Sequence, residues 1–259
     1  MPCAEPLAVT SAGSGPPVVW IHGYTMTSAI WQDIWPQLPG FRHVGVDLPG
    51  HGRSWPMTPE TTLADMAAAV ADVLASEQAT RLVALSMGTM VAFEVAIRKL
   101  HPLSHLAVVA PALVGMAAAD GTAERYRLLT RLRRAGITGS GLTDLWMSSP
   151  PAIFAGLRRN PAAFDEVRRI VGDHSWAELA FGGPAAFYRN RQELTDLPGS
   201  VADLLVVAGD EDMPEFRELG KDLARGVAGA RVVTLPGLGH LPLLECPDRV
   251  IPLLSDFLR

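Results

Sequence analysis

The chain has 259 residues, of which 48% are hydrophobic and 19% are charged, and its net charge is −5. This composition is sufficient for a buried core, and the charged fraction is too low for a disordered chain. The acidic balance argues against a nucleic-acid binder, and two cysteines, Cys3 and Cys246, are too few for a disulfide framework or a four-thiolate zinc site. No apolar run is long enough to span a membrane, and the N-terminus lacks a secretory-signal pattern, which favours a cytoplasmic protein.

Short apolar runs between turn residues predict strands that are buried on both faces. These runs lie at residues 17–21, 43–47, 81–85, 104–110, 203–208 and 231–235. Helical spacing of apolar residues occurs at 28–38, 62–78, 87–100, 214–225 and 247–258. Strands alternating with helices indicate βαβ crossovers. The sequence therefore predicts an α/β fold with a doubly wound, mostly parallel sheet of eight strands or slightly fewer.

The pattern changes between residues 113 and 197, where buried-strand runs give way to short helical segments broken by Gly and Pro. This change predicts one α/β core domain, formed by residues 1–112 and 198–259, with a helical cap at 113–197. Because open α/β sheets bind ligands at the carboxyl ends of their strands, we expect the cap to cover that edge.

One serine lies where a buried strand passes directly into a helix. Ser86 follows the strand at 81–85 in the sequence Ala84-Leu85-Ser86-Met87-Gly88, with a small residue two positions away on each side. Such a strand–turn–helix junction exposes the hydroxyl and places the next backbone N–H beside it. The usual pattern is G-x-S-x-G, and here Ala84 replaces the first glycine.

Other motifs follow the remaining strands. The sequence HGY starts at His22, DLPGHGRS starts at Asp47, GDED starts at Gly209 and GLGHLPLLECP starts at Gly237. The order Ser, Asp, His along the chain is the one expected when a catalytic triad is built on a doubly wound sheet. Together these motifs resemble the α/β-hydrolase superfamily, in particular its capped serine esterases, lactonases and carbon–carbon hydrolases. Besides Ala84, the sequence departs from the family pattern at Thr89, and its short N-terminus suggests a reduced or absent first edge strand.

The resemblance assigns a role to each motif residue. Ser86 would be the nucleophile, His240 the general base and Asp212 the acid that orients the histidine, with Asp210 and Glu211 close enough to compete for that last role. The backbone N–H groups of Tyr24 and Met87 would form the oxyanion hole. His22 is expected to shape this loop through hydrogen bonds.

Aromatic residues of the cap are expected to cover the pocket, which favours a substrate with an apolar body. The expected pocket residues are His22, Tyr24, Trp146, Phe154, Trp176, Phe181 and Leu241. No metal and no cofactor is expected. The predicted partner is a small-molecule substrate, and an acyl group bound to a carrier protein is a further possibility. No nucleic acid or membrane is expected as a partner. The protein is expected to be a monomer or a homodimer.

The leading functional hypothesis is a serine hydrolase that acts on a carboxylic ester, a lactone or a related carbonyl compound through an acyl-enzyme. Fold and triad leave other functions open. One is a non-hydrolytic enzyme of a natural-product pathway, a lyase, elimination catalyst or cyclase, and a second is a receptor-like binding protein. A type II thioesterase is the nearest alternative among hydrolases.

Overall fold

A computed structural model describes residues 6–182, 191–197, 199 and 201–259 of the chain. Within these residues lies one sheet of seven strands in the order β1-β3-β2-β4-β5-β6-β7. The strands are β1 (Val9–Gly13), β2 (Pro17–Ile21), β3 (Arg42–Val46), β4 (Arg81–Leu85), β5 (His105–Val109), β6 (Asp203–Gly209) and β7 (Arg231–Leu235). All pairings are parallel except the antiparallel pairing of β1 with β3. The predicted doubly wound, mostly parallel sheet is confirmed.

Six strands coincide with the predicted apolar runs, and β1 is an addition that the sequence analysis missed. The central strands are buried on both faces because helices cover both sides of the sheet, which is why their sequences are continuously apolar. The edge strand β1 is mostly exposed, and its sequence VTSAG contains no such run. Among the described strands, β1 pairs with β3 alone.

The described residues form eight α-helices. They are α1 (Leu63–Ser76), α2 (Met87–Ile97), α3 (Thr122–Arg134), α4 (Ser140–Trp146), α5 (Pro161–Gly172), α6 (Pro214–Gly226), α7 (Pro242–Glu245) and α8 (Pro247–Phe257). Helix α1 is capped by Thr62: its hydroxyl accepts a hydrogen bond from the Asp65 N–H, and the Asp65 carboxylate accepts one from the Thr62 N–H. No helix among the described residues is long and apolar enough to cross a membrane.

The helix predicted at residues 28–38 is wrong as a continuous element. The structure has two short 3₁₀-helices there, Ser28–Trp31 and Trp35–Gln37. Pro36 lies in the first turn of the second one. A proline at this position lacks an N–H donor and its ring crowds the carbonyl four residues earlier, which disfavours one continuous α-helix through the segment.

Between β5 and β6 the described residues form helices and no strand, and we refer to residues 113–197 as the insertion. It contains α3, α4, α5 and the 3₁₀-helices Gly156–Arg159, Ala177–Phe181 and Leu194–Asp196, while residues 183–190 lie outside the described part. The buried guanidinium of Arg125 on α3 joins its helices, since it donates to the carbonyls of Leu145 and Pro150 and to the hydroxyl of Ser148. The helical insertion in the α/β fold is thus confirmed, and its bounds as a separate domain stay a prediction.

Candidate active site

The serine at the end of β4 occupies a strained turn. Ser86 has φ 50° and ψ −121°, a backbone conformation that residues with a side chain rarely adopt. The turn is tight because α2 starts directly against β2: a Cβ placed on Gly88 would lie 2.6 Å from the His22 carbonyl oxygen. Glycine is therefore required two residues after the serine, whereas the extra methyl of Ala84 is accommodated in the buried core.

Three predicted residues meet through hydrogen bonds at the carboxyl edge of the sheet. Ser86 Oγ lies 2.8 Å from His240 Nε2, and His240 Nδ1 lies 2.9 Å and 3.0 Å from the two carboxylate oxygens of Asp212. The side chains of His240 and Asp212 are at most 1% exposed. A serine, a histidine and a buried carboxylate in this order can activate the hydroxyl for attack on a carbonyl.

The two neighbouring acids of the GDED sequence have different contacts. Asp210 Oδ1 accepts a hydrogen bond of 2.7 Å from the Gly237 N–H, so it ties the end of β6 to the loop after β7. Glu211 pairs with Arg159 at the surface. Of the three candidate acids, Asp212 is the one whose carboxylate contacts the histidine ring.

A further carboxylate holds the histidine loop from behind. Glu245 accepts hydrogen bonds from the N–H groups of Gly239 at 2.7 Å and Leu241 at 2.9 Å, the residues on either side of His240. The ring of Phe216 packs edge-on against the imidazole, with centroids 4.4 Å apart. The sequence analysis included Glu245 only within a family motif. Glu245 is the last residue of α7, the short helix that directly follows the histidine loop. This closeness in sequence is the signal from which its contact with the loop could be predicted.

The HGY turn lies beside the serine. A Cβ on Gly23 would lie 3.4 Å from Ser86 Cβ, so the chain passes close to the nucleophile position there. The turn is closed by a hydrogen bond of 3.2 Å from the Met26 N–H to the Gly23 carbonyl, with Thr25 at φ 64°. Met87 supplies the first N–H of α2, a position where N–H groups have no acceptor within the helix. Tyr24 and Met87 thus belong to the two turns that adjoin Ser86.

Two buried histidines support this turn from below. His22 Nδ1 donates to the Gly23 carbonyl and its Nε2 accepts from the Leu48 N–H, while His51 Nε2 accepts from the Thr25 N–H. Burial lowers the pKa of His22 to about 4, and it lowers the pKa of His51 well below the usual value. Both rings are therefore neutral near pH 7, as their mixed donor and acceptor contacts require.

A cavity of about 350 Å³ opens above Ser86 and His240. Its wall is apolar apart from a few hydroxyls, and none of the described residues lining it is Asp, Glu, Lys or Arg. The core contributes Met87, Met90, Ala112, Met213 and Phe216, and the insertion contributes Leu113, Met116, Tyr126, Trp146, Pro151 and Ile153. Such a cavity favours a ligand with an apolar body whose reactive group points at the serine.

The expected pocket residues are only partly found on this wall. Tyr24 and Trp146 line the cavity, whereas the other five do not. His22 and Leu241 are wholly buried beneath the site, and Phe154 and Trp176 pack behind the wall against other aromatic rings. Phe181 is half-buried at the end of a 3₁₀-helix. These five side chains therefore do not form the surface of the cavity.

The sequence analysis missed most of the lining. Residues 112–119, which follow β5, form one side of the cavity, and Met87 and Met90 on α2 together with Met213 just before α6 form another. A usable signal exists for the first group, because any segment that leaves a parallel strand at its carboxyl end must pass the ligand edge. Methionine type alone gives no such indication. No group of three or more His, Cys, Asp or Glu in the described part of the chain is arranged to hold a metal ion.

Fold and site together define an α/β-hydrolase, and comparison with known proteins agrees. The profile of the alpha/beta hydrolase family matches residues 18–253, so the chain belongs to this family. The chain is 31% identical to the pimeloyl-[acyl-carrier protein] methyl ester esterase of Methylococcus capsulatus, over 97% of this chain and 98% of that protein.

Solved structures show the same architecture. A thermophilic esterase from Thermogutta terrifontis superposes with a TM-score of 0.80 at 26% identity, covering 99% of this chain and 96% of its own. The enol-lactonase of Burkholderia xenovorans has a TM-score of 0.76 at 20% identity, covering 97% of this chain and 96% of its own, and shares the fold. The prediction of an α/β-fold hydrolase is confirmed at this level.

Proposed function

We propose that this protein is a serine hydrolase that cleaves a carboxylic ester, a lactone or a related carbonyl compound with an apolar body, through an acyl-enzyme on Ser86. The observation that carries the proposal is the continuous chain of hydrogen bonds from Ser86 Oγ through His240 to Asp212. Its support from relatives is that the family members most similar in sequence and structure include esterases.

In the proposed reaction, His240 Nε2 accepts the Ser86 proton while Oγ attacks the substrate carbonyl. His240 then delivers this proton to the leaving alcohol. In the second half, His240 deprotonates a water molecule that attacks the acyl carbonyl, and it returns the proton to Ser86 Oγ as the acyl–Oγ bond breaks. Asp212 fixes the imidazole tautomer and stabilises the imidazolium. The N–H groups of Tyr24 and Met87 stabilise the oxyanion, because donors fixed before the reaction act where negative charge develops.

We infer that residues 113–197 act as a cap over this centre. The inference is supported by Tyr126, Trp146 and Ile153, which line the same cavity as Ser86 and His240. The apolar wall favours an apolar acyl or alcohol part of the substrate, and none of its described residues is a cation that could pair with a free carboxylate. A neutral substrate therefore fits the cavity better than an anionic one.

Covalent labelling tests the proposal directly. A fluorophosphonate should attach to Ser86, located by peptide mass spectrometry, and Ser86→Ala should lower kcat on p-nitrophenyl esters by about 10⁶-fold. Ser76→Ala, at the end of α1 and remote from the site, is the matched control and should retain both properties. Labelling of another residue, or turnover that survives Ser86→Ala, would refute the proposal. Labelling of Ser86 without turnover of any ester would instead favour the elimination or binding alternatives.

A carrier-protein-bound acyl ester is a second candidate for the substrate. Several relatives are named pimeloyl-[acyl-carrier protein] methyl ester esterases. Arg127, Arg131 and Arg134 lie on one exposed face of α3 and line a surface groove together with one acid, Glu124, and with Tyr126, which also lines the cavity. The groove therefore keeps an excess of positive charge. A phosphate-bearing or acidic carrier would be complementary to this face. This substrate is supported if the rate of hydrolysis of an acyl-carrier methyl ester greatly exceeds the rate with the free methyl ester and the difference disappears at high salt. Cleavage of the carrier thioester would instead indicate a thioesterase.

A further inference from the structure

Two side chains of the insertion form hydrogen bonds to consecutive residues of the HGY turn. The Tyr24 hydroxyl donates to Glu178 Oε1, and Trp146 Nε1 donates to Thr25 Oγ1 at 3.0 Å. Glu178 lies in the 3₁₀-helix Ala177–Phe181, and Trp146 is the last residue of α4. The insertion therefore contacts the core at the turn whose N–H group is the proposed oxyanion donor.

This turn depends on such contacts for its shape. Thr25 is a β-branched residue with φ 64°, in the left-handed region that such residues rarely occupy. A strained conformation persists only where its surroundings hold it. Here the core holds Thr25 through the hydrogen bond from its N–H to His51, and the insertion holds it through the hydroxyl.

Glu178 is fixed in place far from solvent. Its side chain is 1% exposed, and His174 Nε2 lies 3.2 Å from the oxygen that also accepts the Tyr24 hydroxyl. Burial raises the pKa of the Glu178 carboxyl, but the hydrogen bonds from His174 and Tyr24 outweigh it, so this pKa lies below its usual value. The tyrosine ring is enclosed by Trp146 at 5.3 Å and His174 at 5.7 Å between centroids.

The placement of this carboxylate is costly for folding alone. Its second oxygen, Oε2, has no hydrogen-bond partner among the described residues. A buried carboxylate with an unpartnered oxygen destabilises a fold, and replacement by an apolar side chain of similar volume is often neutral or stabilising. Because folding alone does not favour a carboxylate here, a further role explains why Glu178 lies opposite the Tyr24 hydroxyl.

We propose that Glu178 is a positioning residue: by binding the Tyr24 hydroxyl it holds the HGY turn so that the Tyr24 N–H points at the developing oxyanion. The oxyanion hole is then complete only while the insertion is seated on the core. This inference rests on the proposed function, since it assigns a task within the same reaction. It adds that the insertion contributes to the rate of the chemical step as well as to the substrate pocket.

Steady-state kinetics of three single variants test the proposal. Tyr24→Phe keeps the ring and the backbone N–H and removes only the hydroxyl, and Glu178→Ala removes the acceptor. Loss of one oxyanion donor costs about 10²–10³-fold in kcat, so a displaced donor should cost about 10- to 100-fold. We expect this decrease in kcat for both variants with KM changed less than about 3-fold. Glu178→Gln, which still offers an oxygen to the tyrosine, should recover most of the lost rate.

A double variant and a boronic acid inhibitor distinguish positioning from general loosening. The double variant Tyr24→Phe with Glu178→Ala should be no slower than the slower single variant, because each substitution removes the same hydrogen bond. The inhibition constant of a boronic acid, which binds as a tetrahedral serine adduct, should rise in proportion to the fall in kcat/KM. Glu166→Gln on the exposed face of α5 is the control and should change neither quantity.

The outcomes also separate this inference from the proposed function. If the wild-type protein is not labelled at Ser86, the proposed function fails and the kinetics have no bearing. If Ser86 is labelled and Tyr24→Phe retains full kcat, or the two single effects multiply in the double variant, the positioning role is wrong. Should Glu178→Ala fail to fold, Tyr24→Phe and Glu178→Gln suffice, because a kcat unchanged in Tyr24→Phe overturns the proposal by itself.

Discussion

The sheet edge and the insertion contribute different parts of the candidate site. Ser86, Asp212 and His240 each lie within five residues of the end of a parallel strand, and the sheet alone brings these ends together. The insertion contributes apolar wall and two hydrogen bonds to the HGY turn. The geometry of the reacting groups is therefore a property of the core, and the shape of the space above them is a property of the insertion.

This difference separates what the chain shares with its relatives from what its own insertion determines. Relatives share the sheet, which in this chain is the frame that holds Ser86, His240 and Asp212. The chemical identity of the substrate depends on the wall, to which residues 112–119 and the helices of the insertion contribute. Changes at the sheet edge should therefore affect catalysis without affecting the fold. Changes within the insertion should affect its own stability first, except at Glu178 and Trp146, which contact the HGY turn.

The largest effect is expected at the sheet edge. Asp212→Asn should lower kcat by about 10⁴-fold while thermal unfolding stays close to wild type, because the amide no longer holds His240 in the tautomer that accepts the Ser86 proton. Asp210→Asn is the matched control and should change kcat little, since that carboxylate accepts a hydrogen bond from the Gly237 N–H, whereas the His240 ring is bound by Asp212. The reverse pattern would mean that the acid is assigned to the wrong residue. Two active variants would indicate a dyad.

The pH dependence of stability tests the buried histidine beneath the HGY turn. The pKa of His22 is about 4 in the folded protein against 6.5 for the unfolded side chain, so below pH 6.5 the unfolded chain binds a proton that the folded chain does not. Stability is thus fully present above pH 6.5 and falls as the pH approaches 4. Between pH 7.5 and pH 5, His22 alone should cost about 2 kcal/mol in the free energy of unfolding.

Urea unfolding at these two pH values provides the measurement. His43 and His51, whose pKa values burial also lowers, contribute with the same sign, so the wild-type decrease should exceed the His22 share. His22→Gln has no titrating ring and should show a correspondingly smaller decrease. Keeping the pH at 5 or above excludes the carboxylates, including Glu178, whose lowered pKa acts below 4.5. An unchanged pH dependence in His22→Gln would show that the ring is not the source.

Much of the core could be predicted because its signals are local. Each central strand is a continuous apolar run. Ser86 directly follows one such run, and His240 follows another after a short loop. The strand β1 escaped prediction because it is an exposed edge strand without that pattern. The break at Pro36 shows a different limit, since helical spacing of apolar residues does not distinguish one α-helix from two 3₁₀ turns.

The site's outer parts could not be predicted because they depend on distant pairing. Tyr24 and Glu178 are 154 residues apart, and nothing in either neighbourhood indicates that a hydroxyl and a carboxylate will meet. Residue type did not predict the positions of Phe154 and Trp176 correctly, because an aromatic side chain is equally suited to a pocket wall and to the core behind it. The direction of a side chain follows from tertiary packing, which the sequence pattern does not specify.

Within the insertion, Arg125 is expected to control local stability. Its guanidinium donates to two backbone carbonyls and one hydroxyl, and Arg125→Met would leave these acceptors without the charged donor at a cost of about 2 kcal/mol. Limited proteolysis should then cleave residues 113–197 faster while the core resists. Arg169→Met removes an exposed ion pair on α5 and should change the cleavage rate little. Faster cleavage in the core instead would mean that the two regions unfold together.

The smallest predicted effect lies in the core and away from the site. Thr62→Ala removes the hydroxyl that accepts the Asp65 N–H at the start of α1, and the loss of such a cap costs about 1 kcal/mol. In a chain of this size that corresponds to a fall of about 2–4 °C in Tm, measured by thermal unfolding. Thr62→Ser retains the hydroxyl and should retain the Tm. Because α1 packs on α2 at the side of the sheet and contributes nothing to the cavity wall, kcat and KM should be unchanged in both variants. A loss of activity in Thr62→Ala at a temperature well below its Tm would show that core helices remote from the site influence catalysis. The reacting groups would then depend on more of the core than the strand ends that carry them.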